Sequence, residues 1–228
     1  MSTTLTGPME GPRAGGPPRQ LVVLLHGVGA DGGDLIALAP ALGEALPRAA
    51  FVAPDAPFPC DMAPYGRQWF SLRDRSPAAL LAGARAAAPI LNAFLDSELA
   101  RHRLEDRHLA LVGFSQGTMM ALYTALRRPR ACAGVVGYSG ALIGAEALPT
   151  EARSRPPVLL IHGDADEIVP AAALDLAVQG LRAAEISVQW RLRPGLPHAI
   201  DPDGIACGAA FLQAAFADTA GRAPFHSA

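Results

Sequence analysis

Short runs of aliphatic and β-branched residues recur along the chain, and most of them lack the alternation of apolar and polar positions that a half-exposed strand shows. Unbroken apolar runs of this length are typical of strands that are buried on both faces of a parallel sheet. The runs predict six strands, at residues 21–25, 50–53, 109–112, 134–137, 158–161 and 187–192, most of them buried on both faces.

Longer segments with the length of helices lie between these runs. They predict five helices, at residues 34–46, 77–100, 116–127, 170–184 and 204–216. Pro77 and Pro170 suit the first turn of a helix, where a backbone N–H has no intrahelical partner. Strands that alternate with helices imply right-handed crossovers and a three-layer α/β domain with a mostly parallel central sheet. Ligands of such sheets bind beyond the carboxyl ends of the strands, so we expect the chemistry there.

The length of 228 residues fits one domain with one hydrophobic core. Apolar residues make up 50% of the chain and charged residues 18%, which excludes a chain that is disordered throughout. Glycine and proline crowd the N-terminal segment, which lacks the apolar stretch of an export signal. We expect a flexible tail at residues 1–19, a single domain at residues 20–218 and a short tail at residues 219–228.

The charge balance excludes nucleic acid as a partner. The formal net charge is −2 and the isoelectric point is near 6.3, whereas a nucleic-acid site needs clustered Lys and Arg. The longest apolar stretch, residues 78–95, is interrupted by Arg85, Pro89 and Asn92, which argues against stable insertion into a membrane.

Three cysteines, Cys60, Cys132 and Cys207, are far apart and lack the spacing of a disulfide framework or a zinc site. We therefore expect no metal site. An odd number of thiols without a pattern fits a reducing compartment, and we expect the protein to act in the cytoplasm.

Ser115 is the candidate nucleophile. It lies in Gly113-Phe114-Ser115-Gln116-Gly117, a G-x-S-x-G segment that follows a predicted strand and precedes a predicted helix. This context gives the motif its meaning, because a tight strand-to-helix turn needs a glycine on each side to expose the serine hydroxyl. A chance match in a glycine-rich chain is the alternative. Ser139 also follows a strand, but it lacks the second glycine and a following helix, which favours a loop or capping role.

A serine hydroxyl needs a neighbouring imidazole to take its proton, and the imidazole needs a carboxylate to fix its tautomer. With this type of turn the chain order is serine, acid, histidine, so the candidate bases are His162, His198 and His226. His226 lies in the C-terminal tail, and His162 ends a buried strand, where we expect a structural hydrogen bond. His198 follows the last predicted strand across a loop of proline and glycine and is the expected base. A loop histidine without a role is the alternative.

Three carboxylates compete for the role of the acid in the loop after the strand at residues 158–161, and they are Asp164, Asp166 and Glu167. Asp164 directly follows the strand end and is expected to cap the turn through its own backbone. Glu167 is expected to face solvent. Asp166 is far enough along the loop to reach back over the sheet, which favours it as the partner of His198.

Two backbone N–H groups are expected to hold the oxyanion that forms during acyl transfer, and such a donor contributes about 10²–10³ to turnover. One is the N–H of Gln116, directly after the nucleophile. The other is assigned to Val28, in the glycine-rich turn after the strand at residues 21–25, with His26 in a supporting role. A glycine-rich turn without a ligand is the alternative.

A proline-rich segment at residues 53–60 leads to two neighbouring aromatic residues, Trp69 and Phe70. Apolar side chains on an irregular loop often form the wall of a pocket, which makes both residues candidates for binding substrate. Packing of the two side chains in the core is the equal alternative.

Taken together, these motifs resemble the phospholipase/carboxylesterase family of α/β-hydrolases, which includes acyl-protein thioesterases and bacterial carboxylesterases. The resemblance covers residues 20–217 and rests mainly on residues 113–117 and 162–166, with Leu25-His26-Gly27, residues 53–57 and 68–70, and Pro197-His198. Where the family commonly has a glycine and an aspartate, this chain has Thr118 and Ser71, and we expect these departures to reshape the acyl pocket.

The resemblance implies an α/β-hydrolase fold and an enzyme without a cofactor. It also implies a role for six positions of this chain, namely a triad of Ser115, Asp166 and His198, oxyanion donors at Val28 and Gln116, and Ile168 near the acyl chain.

The expected function is hydrolysis of small-molecule carboxylic esters through an acyl-serine intermediate. A lysophospholipase or an acyl-protein thioesterase that acts on long acyl chains is the alternative. A binding module that keeps the fold without catalysis is a further one, although every position of the triad is filled. The formation of a homodimer stays open.

Overall fold

The computed structural model describes residues 4–221. Its strands are β1 (Met9–Glu10), β2 (Gln20–Leu25), β3 (Ala49–Val52), β4 (Phe58–Pro59), β5 (Arg67–Gln68), β6 (Leu109–Phe114), β7 (Gly134–Tyr138), β8 (Val158–Gly163) and β9 (Val188–Arg193). Its α-helices are α1 (Gly32–Ile36), α2 (Ala39–Ala45), α3 (Pro77–His102), α4 (Gln116–Ala125), α5 (Leu148–Glu151), α6 (Ala172–Ala183) and α7 (Pro202–Gly221).

Seven strands form one sheet in the order β1-β3-β2-β6-β7-β8-β9, and β4 and β5 form a separate ribbon of two strands. β1 is antiparallel to β3, and all other neighbours in the large sheet are parallel. The pairs Leu25 with Gly113 and Phe114 with Tyr138 bring the carboxyl ends of β2, β6 and β7 to one edge. The predicted three-layer architecture with a mostly parallel sheet is confirmed.

Successive residues of the central strands belong to two cores on opposite faces of the sheet. Leu21, Val23 and Leu25 of β2 share a core with residues of α3, α4 and α6, whereas Val22 and Leu24 share one with residues of α2 and α7. All five side chains are fully buried. Because helices cover both faces, residues 21–25 of β2 have no position that faces water, which explains their unbroken apolar sequence.

The segment predicted as one helix at residues 34–46 forms two helices, α1 and α2. Pro40 explains the break, since its ring removes one backbone donor and would clash with the carbonyl of Ile36 in a continuous helix. In the first turn of α2 the same proline is tolerated. The other predicted helices and strands agree with the structure apart from their ends. One such end corrects the expectation for Pro170, which precedes α6 and does not lie in its first turn.

The N-terminal segment is part of the fold. β1 pairs with β3, the Ala53 N–H donates to Pro8 O at 3.0 Å, and Leu5 is buried. The flexible tail predicted at residues 1–19 therefore does not hold for residues 5–10, because a strand of two residues is too short to leave a periodic pattern. Residues 1–3 lie outside the described residues.

At the other end, α7 continues to Gly221, past the boundary expected at residue 218. Residues 222–228, with His226, lie outside the described part of the chain.

By length and composition alone, α3 is apolar enough to cross a membrane. In the fold, its residues Ala84, Leu91, Leu95 and Leu99 are buried in the core that includes α4. The burial of this side accounts for much of the apolar character of the helix, as is usual for a core helix of a globular domain.

Candidate active site

Ser115 occupies a strained turn between β6 and α4. Its backbone has φ 54° and ψ −117°, in a region that residues other than glycine rarely adopt. The turn is held by the Ser115 N–H, which donates to Tyr138 O at 2.9 Å. The strain places the serine at the carboxyl edge of the sheet and at the N-terminus of α4, where free N–H groups favour negative charge.

The two glycines of the motif are required by close backbone contacts. A Cβ atom on Gly117 would lie 1.7 Å from Leu25 O, and one on Gly113 would lie 2.4 Å from the Thr118 nitrogen. Both distances are far below a van der Waals contact, so neither position accepts a side chain without movement of the backbone. This crowding is the physical basis of the predicted strand-to-helix turn.

Thr118 lies between the ends of two strands, away from the cavity beside the serine. Its hydroxyl oxygen is 2.7 Å from Gly113 O and 2.8 Å from Tyr138 O. Its side chain fills the space over Gly137 and Gly140, where an added Cβ would lie within 2.5 Å of it. The expectation that Thr118 reshapes the acyl pocket therefore finds no support in its position. Ser71, the other departure, donates its hydroxyl to Asp61 Oδ2 at 2.5 Å on the surface.

Asp166 and His198 are hydrogen-bonded. His198 Nδ1 lies 2.8 Å from Asp166 Oδ2, and the other carboxylate oxygen accepts the N–H groups of Ile168 and Val169 at 2.9 and 2.8 Å. Burial raises the pKa of the Asp166 carboxyl, but the hydrogen bonds from His198, Val169 and Ile168 outweigh burial and hold this pKa below its ordinary value. Asp166 is thus ionised at neutral pH, and it fixes the proton of His198 on Nδ1, which leaves Nε2 free to accept one.

The ring of His198 stands beside the serine turn. It is tilted against the ring of Phe114, with 4.8 Å between ring centroids, and Phe114 directly precedes Ser115. Within the described residues, Ser115 Oγ makes no hydrogen bond, so the link between serine and imidazole is open in this structure. Catalytic hydrogen bonds are often long without substrate and shorten in the complex.

The loops that carry the acid and the base are tied together. Asp164 Oδ1 accepts the N–H of Gly195 at 2.6 Å, and the Ala165 N–H donates to Leu196 O at 3.2 Å. The prediction that Asp164 caps its own turn is therefore wrong, since its partner is 31 residues further along the chain. Arg193, at the end of β9, adds an ion pair with Asp201 at 2.7 Å and so joins the two ends of the histidine loop.

His162 is a second imidazole next to the acid. Its Nε2 lies 2.8 Å from Val169 O and 3.4 Å from Asp166 Oδ2, and the side chain is buried. Because a carbonyl can only accept, Nε2 carries the proton of this ring. The structural hydrogen bond expected at the end of β8 is present, and it holds the loop whose N–H groups bind Asp166.

His26 holds the glycine-rich turn of Val28. Its Nε2 accepts the N–H of Ala56 at 2.9 Å, so the proton is on Nδ1, which donates to Gly27 O at 2.7 Å. Burial lowers the pKa of His26, which keeps the ring neutral in this role. A Cβ on Gly27 would lie 3.3 Å from Ser115 Cβ, so the turn runs directly beside the serine. The supporting role predicted for His26 agrees with these contacts.

Both expected oxyanion donors are near the serine. Gln116 is the first residue of α4, where an N–H has no intrahelical partner. Among the described residues, the Val28 N–H donates to no backbone carbonyl, whereas the next amide, of Gly29, donates to Arg67 O at 2.8 Å. The two amides can therefore face a ligand from two sides of the serine.

Trp69 and Phe70 lie in the core and do not line the cavity beside Ser115. The Trp69 N–H donates to Gln116 Oε1 at 2.9 Å, and Gln116 Nε2 donates to Phe70 O at 2.7 Å. The indole N–H of Trp69 donates to His26 O at 3.0 Å. Of the two alternatives, the structure favours core packing over a pocket wall, and the segment supports both turns that carry the expected oxyanion donors. Sequence reasoning missed this function because backbone hydrogen bonds over such distances leave no spacing pattern.

A cavity of about 260 Å³ opens beside Ser115. Val28 and Met119 lie on its wall, and Ile168 lies at the side of the acid loop with 60% of its surface exposed. Two larger cavities, of about 430 and 420 Å³, lie at the opposite edge of the sheet, near the amino ends of the strands, and a third of about 290 Å³ lies beside β1 and α2. Among the described residues, none of the three is lined by a serine next to a histidine and a carboxylate, so the candidate site is the smaller cavity beside Ser115.

Comparison with known proteins points to one family. The sequence profile of phospholipases and carboxylesterases matches residues 12–216. Acyl-protein thioesterase 1 of Mycosarcoma maydis is 28% identical over 226 residues, which cover 89% of this chain and 93% of that protein. The esterase YpfH of Escherichia coli K12 is 28% identical over 185 residues, which cover 81% of this chain and 78% of that protein.

Among solved structures, the crystal structure of esterase PE8 superposes on this chain with a TM-score of 0.88. The two sequences are 43% identical, and the superposition covers 92% of this chain and 99% of that chain.

Proposed function

The chain belongs to the phospholipase/carboxylesterase family, and we propose that it cleaves carboxylic esters with Ser115 as the nucleophile. Membership of this family makes it an ester-hydrolysing enzyme of the α/β-hydrolase fold. His198 is the general base and Asp166 is the acid that orients it. The hydrogen bond of 2.8 Å between His198 and Asp166, beside the strained turn of Ser115, is the observation that carries the proposal.

In the acylation step, Ser115 Oγ attacks the ester carbonyl carbon while its proton passes to His198 Nε2. The N–H groups of Val28 and Gln116 bind the oxyanion of the tetrahedral intermediate. The carbon–oxygen bond to the alcohol then breaks, and His198 returns the proton to the departing oxygen.

In the second step, His198 takes a proton from water, and the resulting hydroxide attacks the acyl-serine carbonyl. In the collapse of the second intermediate, the bond between the acyl carbon and Ser115 Oγ breaks and His198 returns its proton to Oγ, which releases the carboxylic acid and restores Ser115. The steps consume one ester and one water and yield one acid and one alcohol. They need no group other than those that this chain supplies.

The test compares hydrolysis of 4-nitrophenyl butyrate by the wild type, Ser115→Ala and Ser139→Ala. Ser139 is a matched control, because it also follows a strand of the sheet and also has a positive φ, of 47°. We expect Ser115→Ala to lower kcat by about 10⁴-fold or more and to abolish labelling by a fluorophosphonate probe, and Ser139→Ala to retain both. Equal turnover by Ser115→Ala and the wild type would overturn the proposal.

A second candidate activity is hydrolysis of long-chain thioesters or lysophospholipids. The name of the relative from Mycosarcoma maydis favours it, as does the exposed side chain of Ile168 beside the cavity. A series of esters and thioesters with acyl chains from two to sixteen carbons distinguishes the two. A rise in kcat/KM toward the longest chains supports the second candidate, and a fall beyond short chains supports the first.

We also propose that the protein acts in the cytoplasm. The support is that Cys60, Cys132 and Cys207 are free, which suits a reducing compartment. The formation of a homodimer stays a prediction. The molar mass of the purified protein, measured by light scattering, tests it.

A further inference from the structure

Arg75 is an exposed residue on the wall of the cavity beside the nucleophile. Among the described residues that line this cavity, it is the one charged side chain. Its neighbours there include Leu72, Leu80, Met119, Val169 and Pro170, all of them apolar. An arginine on such a wall gives the acyl pocket one specific group for an anion, since its guanidinium binds carboxylates and phosphates in a planar, bidentate manner.

The guanidinium of Arg75 is free to bind a ligand. Among the described residues it makes no ion pair or hydrogen bond, whereas the other arginines of this segment are occupied. Arg67 donates to Ala56 O and Pro57 O at 2.8 and 3.0 Å, and Arg73 donates to Asp61 O at 2.6 Å.

The nearest carboxylate in sequence is also occupied. Asp74 Oδ1 accepts the Ser76 N–H at 2.8 Å, which fixes this side chain at the start of α3 and lowers its pKa. Among the described residues that line the cavity there is no carboxylate that could compete for Arg75.

The cavity lies on the acyl side of the reacting carbon. In the proposed mechanism His198 protonates the departing alcohol, so the alcohol has to leave on the side of the imidazole. His198 is absent from the residues that line the cavity, whereas Ser115 and the Val28 turn are present. The acyl group, not the alcohol, therefore extends toward Arg75.

We propose that the preferred substrates are esters whose acyl chain ends in an anionic group, such as monoesters of dicarboxylic acids, and that Arg75 is the residue that selects them. This inference rests on the proposed function of Ser115. The cavity of about 260 Å³ is smaller than the usual pocket for a drug-sized ligand, about 300–1,000 Å³, which suits a short dicarboxylate.

The experiment compares two esters that differ at one end of the acyl chain. Methyl hexanoate ends in a methyl group, and monomethyl adipate ends in a carboxylate at the same distance from the ester. We measure kcat and KM for both with the wild type, Arg75→Gln, Arg75→Lys and Arg48→Gln. Arg48 is the matched control, because its loss changes the net charge equally but it lies at the opposite edge of the sheet.

We compare the kcat/KM for monomethyl adipate divided by the kcat/KM for methyl hexanoate. We expect this ratio to be about fivefold higher in the wild type than in Arg75→Gln, which is the effect of one exposed ion pair. The change should appear in KM, should be partly restored in Arg75→Lys and should shrink as NaCl is raised toward 1 M. Arg48→Gln should keep the ratio of the wild type. An equal ratio in the wild type and Arg75→Gln would overturn the inference.

A second pair of esters tests the side of the carbonyl. Phenyl acetate and 4-carboxyphenyl acetate differ by a carboxylate on the alcohol, and we expect Arg75→Gln to leave their ratio as it is in the wild type. If Arg75→Gln lowered the preference for the carboxylate in this pair only, Arg75 would bind the alcohol and not the acyl group, which would contradict the inference. Hydrolysis of methyl hexanoate by the wild type but not by Ser115→Ala supports the proposed function, whether or not Arg75 selects the acyl chain.

Discussion

His26 Nε2 accepts the N–H of Ala56 at 2.9 Å, and this one bond decides which nitrogen of the ring carries the proton. The protonated Nδ1 then donates to Gly27 O at 2.7 Å, next to the amide of Val28. A ring that is buried and neutral thus holds the turn that supplies an oxyanion donor in the proposed mechanism, without touching the substrate.

Replacement of His26 by phenylalanine should lower both stability and kcat. The change leaves the buried Ala56 N–H without a partner, at a cost of about 1–3 kcal/mol, and leaves Gly27 O with only the longer bond of 3.4 Å from the Ala30 N–H. Displacement of the Val28 amide should lower kcat by about 10²-fold, the usual effect of losing one oxyanion donor, with a smaller change in KM. The measurements are urea unfolding and ester kinetics. A variant that is destabilised but keeps its kcat would show that His26 acts on the fold alone.

Replacement of Asp166 by asparagine should lower kcat by about 10⁴-fold, because an amide cannot hold the proton of His198 on Nδ1. Asp164→Asn is the matched control, since an asparagine oxygen can still accept the Gly195 N–H that Asp164 binds. Ester kinetics at pH 7 on both variants distinguish the two loop carboxylates. A larger loss in Asp164→Asn than in Asp166→Asn would reverse the assignment of the acid.

These residues also show how far the sequence predicts the site. The serine turn and its glycines lie within five consecutive residues, so the spacing of these residues is enough to predict the strand-to-helix turn. The order of serine, acid and histidine narrows the partners, and the structure brings Asp166 and His198 into contact.

The supporting contacts are of another kind. The bond between Trp69 and Gln116 joins residues 47 positions apart, and that between Asp164 and Gly195 joins residues 31 positions apart. Such bonds depend on how loops meet in three dimensions, and no periodicity or spacing in the chain records them. β1 could not be predicted from the sequence for a similar reason. Its partner strand lies about forty residues away, and its own pattern spans only two residues.

Asp106 should make the stability of the fold depend on acid. Its carboxylate is buried and bonds Arg128 at 2.7 Å and Arg130 at 2.8 Å. Burial raises the pKa of Asp106, but the hydrogen bonds and charges of the two arginines outweigh burial and hold this pKa below its ordinary value. A lowered pKa in the folded state stabilises the fold above the pKa of the unfolded chain, near pH 4, and this contribution is lost as the pH falls through the folded value.

Asp106→Asn should therefore unfold at lower urea than the wild type at pH 7, with a loss of about 3–5 kcal/mol from a broken buried pair. The difference between the two proteins should shrink as the pH is lowered from 7 toward 3, because the wild type loses its advantage as the carboxylate takes up a proton. Asp96→Asn is the control, since the carboxylate of Asp96 bonds the same Arg128 but is 66% exposed. A difference that stays constant with pH would show that the charge of Asp106 is not its source.

Arg193 should affect catalysis through the position of His198. Its guanidinium bonds Asp201 at 2.9 and 2.7 Å, and Asp201 in turn accepts the Gly204 N–H at the start of α7. The histidine loop is therefore anchored at both ends. In Arg193→Gln the loop loses this anchor, and a displaced base is expected to lower kcat by about tenfold, since a shift of 1 Å can cost about a hundredfold.

The matched control for this change is Arg191→Gln, on the same exposed strand, where the guanidinium bonds only the Trp190 carbonyl among the described residues. We expect Arg191→Gln to keep the kcat of the wild type. Asp201→Asn should lower kcat by no more than Arg193→Gln, because it removes one ion pair of Arg193 and leaves the pair with Asp203. The double variant should be no worse than Arg193→Gln, which already removes both pairs. If the losses in kcat were additive, Arg193 and Asp201 would act on the reaction independently, and this result would contradict the proposed anchoring of the histidine loop by their ion pair.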